Sequence, residues 1–271
     1  MQEFIQALRE ATGFTGASDI VLILMFIVGC LLVIASVVAL VISIWLGIKY
    51  FRYNRIENSV GKTGEEVARK ILDDNDLGNI KVSKNGSILF GNSYSHYFKK
   101  VRLRRLTWKK TSVTSLAMAA QKSSLAVLDK EKDPAMRLQI KLTPFIYFGP
   151  LAFVPLIIIG VLLDVFVLKN TNFPCTIALT CVGLLFYVIS FVMSILVLKT
   201  EKRAQVKALE ILKNDNLATD EEIEMCKKLF HLYNIEYINN MIIALLELIY
   251  RVLQIVGLLQ SSGSSMSSSN D

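Results

Sequence analysis

Residues 112–128 carry, near their centre, the polar side chains that come closest to a catalytic set. Lys122 is flanked by Gln121, Ser123 and Ser124 within an otherwise apolar, helix-forming stretch. A serine beside a lysine can form a nucleophile and its base. Neighbouring residues of a helix point about 100° apart, however, so we do not expect such a pair here. The spacing of the apolar residues instead predicts a helix with one inward face.

His96 and His231 are the chain's two histidines and the other candidates for metal binding or proton transfer. No spacing joins them to each other or to a cluster of acidic residues. The four cysteines lack the C-x-x-C spacing of zinc and redox sites, and three of them fall in apolar stretches. We therefore expect ordinary histidines and reduced, packed thiols.

The run from residue 112 to 126, SVTSLAMAAQKSSLA, resembles the zinc helix of the bacterial membrane-bound neutral zinc metallopeptidase family. In that family two alanines lead into His-Glu-x-x-His. The resemblance puts Gln121 and Leu125 at the two histidine positions, and Lys122 at the position of the glutamate base. It also puts Glu201 at the position of the third metal ligand. The resemblance thus implies a degenerate member with no catalytic residue, no metal and no cofactor.

The resemblance extends well beyond this helix. Residues 61–73 resemble the family's first helix, with its Thr-Gly-x-Glu-Val-Ala-Arg-x-Ile-Leu core, and residues 155–160 and 200–210 also follow the family pattern. After a turn glycine the family carries Asp-His-Tyr-Asp. Here residues 92–95 read Asn-Ser-Tyr-Ser, so that only Tyr94 matches. A second polar motif is therefore also degenerate.

Lys122 and Glu201 would bring opposite charges to the place where the family holds its metal. A zinc peptidase needs two imidazoles one helical turn apart, a third ligand and a carboxylate beside the metal-bound water. Leu125 has no donor atom, and Lys122 puts a cation where the base belongs. We expect Lys122 to form a salt bridge with Glu201 in the vacated site. The alternative is that both are solvated surface charges.

The chain is too apolar for an ordinary soluble protein, with 53% hydrophobic residues. The pattern predicts a multi-pass α-helical membrane protein of about four spans with a small α+β domain. The resemblance implies that this domain is zincin-like, and the basic residues counted below predict that it is cytoplasmic. The predicted spans are an anchor helix at 20–50, then 142–168, 173–198 and 236–260. The four residues between the second and third spans require an antiparallel hairpin.

The segments between the spans are polar. Residues 51–141 are predicted to form the α+β domain, which contains the degenerate zinc helix 112–128, and residues 199–235 a cytoplasmic helical segment. Thr63 with Glu66, and Thr219 with Glu222, have the spacing of capping boxes. Strands are predicted around residues 80–82, 87–90 and 101–103, with the first two paired as a hairpin.

The chain's two ends are predicted to lie outside the cell and to add little structure. Residues 1–19 form a short external segment of mixed charge, and the serine-rich tail 261–271 is predicted to be disordered.

The distribution of basic residues predicts the orientation. Residues 49–141 hold 20 lysines and arginines and residues 199–235 hold 7, of 30 in the chain. The positive-inside rule therefore puts both polar segments on the cytoplasmic side of the cell membrane.

The ionisable residues within the predicted spans include Asp164, Glu247 and Arg251. Asp164 is expected to cap a helix or reach the interface, and Glu247 and Arg251 are spaced to pair on one helix face. A small transport subunit would need such charges along a water path, and only the last two suggest one.

A dense basic run with one interleaved tryptophan follows the predicted hairpin. An anionic-lipid surface is the favoured interpretation over nucleic acid, because the domain is tethered at a membrane, and a solvated face is the third alternative. Its basic residues are Lys99, Lys100, Arg102, Arg104, Arg105, Lys109 and Lys110.

The leading functional hypothesis is a non-catalytic pseudopeptidase that acts as a scaffold or regulator of membrane proteins. Its expected partners are membrane lipids and other membrane proteins, with no nucleic acid. The alternatives are a zinc metallopeptidase that remains active with atypical ligands, and a small transport subunit.

Overall fold

The computed structural model describes residues 2–85, 91–146, 149–169 and 174–267. The predicted strand at 87–90 lies outside these residues. The chain is mostly helical. The helices are α1 (Gln2–Thr12), α2 (Asp19–Tyr53), α3 (Gly64–Asp74), α4 (Arg105–Trp108), α5 (Val113–Lys130), α6 (Pro134–Ile146), α7 (Gly149–Leu162), α8 (Pro174–Asn214) and α9 (Asp220–Ser267). The strands are β1 (Lys81–Asn85), β2 (Ser93–Ser95) and β3 (Lys100–Arg104).

Three helices of the described chain are long and apolar enough to cross a membrane. They are α2, α8 and the Asp220–Ser261 part of α9. The remaining predicted span, 142–168, corresponds to the end of α6, then α7, and then the π-helical turn Leu163–Leu168. Its uninterrupted apolar part, Ala152–Leu168, is shorter than the other three.

The chain forms two compact units, each made of separate stretches of sequence. The first contains residues 1–39, 142–194 and 239–271, and the second contains residues 40–141 and 195–238. The two polar segments that the sequence predicts separately therefore belong to one compact unit, the second.

Within the first unit, Asp164 caps the start of α8. Its carboxylate accepts hydrogen bonds from the backbone amides of Cys175 and Thr176, at 2.9 and 2.7 Å, and from the Thr176 hydroxyl at 2.8 Å. A Cβ atom added to Gly160 would lie 2.6 Å from the Thr176 Cα, so only glycine permits this approach. The capping interpretation of Asp164 is thus confirmed.

The contacts of Arg251 in the described structure involve residues other than Glu247, the partner that the helical spacing predicted. In the described structure its guanidinium donates to the Tyr187 hydroxyl at 3.2 Å and lies 5.0 and 5.4 Å from the ring centroids of Phe153 and Tyr187. Cation–π contacts of this kind stabilise a charge in an apolar setting.

Helix α9 extends into the serine-rich tail, where the sequence predicts disorder from residue 261. The helix continues to Ser267. The Ser261 hydroxyl donates to the Gly257 carbonyl and accepts from the Gly16 amide, and these bonds hold the first residue of the tail in the helix.

The second unit contains a three-stranded sheet of order β1-β3-β2. Strand β3 lies in the centre of the sheet, and the sequence predicted a strand there at residues 101–103. It pairs in parallel with β1 and antiparallel with β2. Val101 and Leu103 of β3 are fully buried. Among the described residues the partner of β1 is β3, and the predicted hairpin partner at 87–90 lies outside them.

Helix α5 is buried on every side, whereas its sequence predicts one inward face. All residues from Val113 to Leu128 are buried. Small side chains let neighbouring elements approach all round the helix, because they leave room for backbone on each face. These residues are Ala117, Ala119, Ala120, Ser123 and Ser124.

The ends of the surrounding helices are capped as predicted. Thr63 and Glu66 form a complete capping box at α3, and Thr219 and Glu222 exchange the same two bonds at α9. Glu222 also accepts from the Ser59 amide and hydroxyl, at 2.6 and 2.7 Å. Both capping boxes therefore belong to the unit that surrounds α5.

Candidate functional site

The middle of α5 meets α8 at three polar side chains. Lys122 Nζ lies 2.6 Å from Glu201 Oε1, and Gln121 Nε2 donates to Glu201 Oε2 at 2.7 Å. Each carboxylate oxygen therefore has a donor. The structure brings together three of the four residues that the family resemblance assigns to the metal site.

This ion pair is buried. The side chains of Lys122 and Glu201 are 8% and 11% exposed. Moving two charges out of water costs several kcal/mol per ion, and close contact with good hydrogen-bond geometry repays that cost only in part. Each charge thus depends on the other, because either one alone would be left uncompensated in the interior.

Leu125, at the position of the second family histidine, packs in an apolar cluster one turn further along α5. Its neighbours are Leu128, Met136 and Ala204, with Tyr94 packed against them. Ala204 follows Glu201 by three residues on α8, so it lies almost one turn further along the same face. Helix α8 therefore places the Glu201 carboxylate against the turn of α5 that carries Gln121 and Lys122, which we call the polar turn. It places the Ala204 methyl group against the next, apolar turn.

A cavity of about 280 Å³ adjoins the polar turn within the second unit. Its charged and aromatic residues are Arg104, Lys122, Glu236, Tyr233 and Tyr237, and Gln121, Met118, Leu46, Gly91 and Asn92 complete the lining. The two tyrosine rings are stacked, with centroids 6.5 Å apart. The cavity thus offers donors, acceptors and aromatic faces together.

The second degenerate motif, residues 92–95, converges on the far end of α5. The Tyr94 hydroxyl donates to Asp129 Oδ2 at 2.6 Å, and His96 Nδ1 lies 2.6 Å from the same oxygen. Burial, together with this hydrogen bond to a carboxylate, raises the pKa of Tyr94 far above its usual value. Tyr94 therefore stays protonated and serves as a donor.

Asp129 is a site residue that sequence reasoning missed. It follows Leu125 by four residues, a spacing that puts both residues on one face of α5. This spacing was the sequence signal that could have identified Asp129. His231, on α9, lines a different cavity with Trp45 and Lys49.

The residues of the basic run are spread over several elements. Lys99 precedes β3, Lys100 and Arg102 lie on β3, and Arg104 lines the cavity beside Lys122. Lys110 donates to the Asn54 carbonyl at 3.1 Å. Arg105 begins α4 and Lys109 follows its end, and both are exposed. The seven residues thus lie on or beside strand β3, in the lining of the cavity, and at or beyond the ends of helix α4.

The residues at this site do not fit zinc. Gln121 uses its amide nitrogen to donate to Glu201, Leu125 has no donor atom, and the Lys122 ammonium occupies one oxygen of the Glu201 carboxylate. A divalent cation at Glu201 would meet that ammonium at close range. Within the described ranges, no group of three or more histidine, cysteine, aspartate or glutamate side chains is arranged to hold a metal.

The mutual dependence of Lys122 and Glu201 can be tested with a double-mutant cycle. Lys122→Met should destabilise the protein by about 3–5 kcal/mol, because Glu201 is left as a buried charge without its cation. Adding Glu201→Met should recover much of the loss. Thermal unfolding of the detergent-solubilised protein would measure both effects.

Lys213→Met is the matched control, because Lys213 pairs with Asp220 at 3.9 Å with both side chains largely exposed. This variant should change stability by less than about 1 kcal/mol. Equal destabilisation by the Lys122 and Lys213 substitutions would contradict the importance of the buried pair.

Comparisons with known proteins identify the family of this chain. The sequence model of the family described as "Putative neutral zinc metallopeptidase" matches residues 28–256. The "Putative membrane protease YugP" of Bacillus subtilis (strain 168) is 24% identical over 226 residues, which cover 81% of this chain and 94% of the relative. No solved structure matches. The match takes in α5, Glu201 of α8 and most of α9, and the chain belongs to this zinc metallopeptidase family.

Proposed function

We propose that this chain is a non-catalytic member of its family, a pseudopeptidase that binds membrane proteins as a scaffold or regulator. The observation that carries this proposal is the Lys122 ammonium, 2.6 Å from Glu201 in the turn where the family resemblance puts the metal and its base.

Peptide hydrolysis by this family's chemistry needs a metal-bound water and a carboxylate that removes its proton. Lys122 is a cation at the base position and accepts no proton while it is charged. Gln121 and Leu125 provide no imidazole. The set of residues at positions 121, 122 and 125 therefore supports the loss of both metal binding and proton transfer.

Binding remains available to such a site, because the cavity beside it does not depend on a metal. Arg104 and Glu236 supply charges of both signs, and Tyr233 and Tyr237 supply aromatic faces. Aromatic and arginine side chains are enriched at the centres of protein interfaces. An extended or helical segment of a membrane protein is the kind of partner that this lining suits.

Zinc quantification tests the loss of the metal site. The purified wild-type protein should hold far less than one zinc per chain. The variant Gln121→His, Lys122→Glu, Leu125→His restores two imidazoles one turn apart and removes the ammonium from Glu201, so it should gain zinc. Adding Glu201→Ala should lower that gain, because the third ligand is lost.

A wild-type protein with one zinc per chain, lost on Glu201→Gln, would overturn the proposal and favour a peptidase with atypical ligands. The wild-type measurement decides this even where the triple variant fails to fold, because it does not rely on any substitution.

Photocrosslinking from the cavity tests partner binding. A benzophenone amino acid at Tyr237 keeps an aromatic group in the lining, and it should crosslink a discrete set of membrane proteins in native membranes. The same amino acid at exposed Lys213 is the control. No crosslinked species from position 237, or the same species from both positions, would contradict a partner site in the cavity.

We further propose that the second unit lies on the cytoplasmic side of the cell membrane. The support is the charge distribution, with 27 of 30 basic residues in residues 49–141 and 199–235. This orientation puts the loop at Lys169 outside.

Cysteine labelling tests the orientation. With the four native cysteines replaced, Lys169→Cys should react with a membrane-impermeant maleimide on intact cells, and Lys213→Cys only after lysis. Both residues are exposed, so differences in labelling report the side of the membrane. The reverse pattern would show that the positive-inside rule fails for this chain.

A further inference from the structure

The turn between β2 and β3, residues 96–99, exposes two adjacent aromatic side chains. We call these four residues the hairpin tip. Phe98 is 71% exposed and Tyr97 is 58% exposed. Neighbouring exposed aromatic residues are a common sign of an interaction site, since exposure of apolar surface to water is unfavourable.

The tip is held firmly in this position. The Lys99 amide donates to the His96 carbonyl at 3.2 Å, and His96 Nδ1 lies 2.6 Å from Asp129 Oδ2. The Tyr97 hydroxyl donates to the Ile140 carbonyl at 2.8 Å. The outward position of Phe98 is therefore set by contacts of its neighbours with α5 and α6.

Basic residues lie close to the exposed ring in sequence and in the sheet. Lys99 adjoins Phe98 in sequence, and Lys100 and Arg102 follow on β3. The Arg102 guanidinium lies 5.7 Å from the centroid of the Phe98 ring. Lys81 of β1 is paired in register with Lys100. The tip thus combines an apolar ring with a cluster of positive charge.

The tip contacts a residue that lies close in sequence to an apolar segment. Ile140, which accepts the bond from Tyr97, lies two residues before Leu142, where the apolar segment begins. That segment leads into the apolar helix Ala152–Leu168. An aromatic ring beside basic groups is typical of residues at the bilayer interface.

We propose that the hairpin tip docks onto the membrane that anchors the chain, with Phe98 at headgroup level and Lys99, Lys100 and Arg102 binding anionic phospholipid headgroups. This use of the basic run involves only its first three members. It does not depend on whether the chain is catalytic, because none of these residues contributes to the polar turn of α5.

The test uses the full chain in nanodiscs, with a nitroxide label at Phe98→Cys in a background without the native cysteines. Discs of phosphatidylcholine are compared with discs that also contain phosphatidylglycerol. Collision of the label with an aqueous nickel chelate and with oxygen, which partitions into the bilayer, is measured by power saturation. We expect the anionic discs to protect the label from nickel and to expose it to oxygen.

Replacing Lys99, Lys100 and Arg102 with glutamine should reduce the docked fraction, since each basic residue near an anionic surface contributes about fivefold and three contribute about a hundredfold. A label at Lys213→Cys is the control. Lys213 is fifteen residues, or about 22 Å along a helix, beyond the predicted span that ends at residue 198, so lipid composition should not affect it.

Equal nickel accessibility of label 98 in both kinds of disc would overturn the proposal. Protection that survives the triple glutamine variant would also overturn it, because the headgroups would then not be the ligand. Protection that appears only when RNA is added would reassign the tip to nucleic acid. Thermal unfolding of each labelled variant shows that the fold is retained.

Discussion

Helix α5 can be buried on every side only because its one central charge, Lys122, meets Glu201. An unpaired ammonium in that position would cost more than the packing of the helix returns, and an unpaired carboxylate on α8 would have the same effect. The pair therefore fixes how α5 and α8 lie against each other in the second unit. Leu125 and Ala204 then pack one turn away, so a polar and an apolar contact share one helix pair.

If the metal site was lost as proposed, the same pair explains how the fold is kept. A zinc site of this kind uses two positive charges to neutralise its carboxylate. Here one ammonium balances one carboxylate, and Gln121 satisfies the second oxygen. Replacing Lys122 alone with an acidic residue would put its carboxylate beside that of Glu201 without a cation. Positions 121, 122, 125 and 201 are therefore energetically coupled, and substitutions among them are not expected to be additive.

Local signals predicted much of this structure from sequence. Both capping boxes and strand β3 follow from residue types at fixed short spacing, and the long apolar helices follow from their length. The burial of α5 on all sides could not be predicted in this way. The spacing of its apolar residues marks only one face of the helix and does not show which elements cover its other faces. The Tyr94–Asp129–His96 cluster was missed for a related reason. It joins residues more than thirty positions apart, and only the three-dimensional packing brings them together.

The second unit is assembled from two stretches that are separated by residues 142–194. Lys122 therefore leaves the ribosome 79 residues before Glu201, an interval of roughly ten seconds at ordinary synthesis rates. During this time residues 142–194 are synthesised while α5 lacks the carboxylate and the apolar surface that bury it. Completion of the second unit thus waits for the part of α8 that carries Glu201 and Ala204. A chain that stops before this part would carry an unpaired charge and an uncovered alanine-rich helix, the features that chaperones and proteases recognise in unfinished proteins.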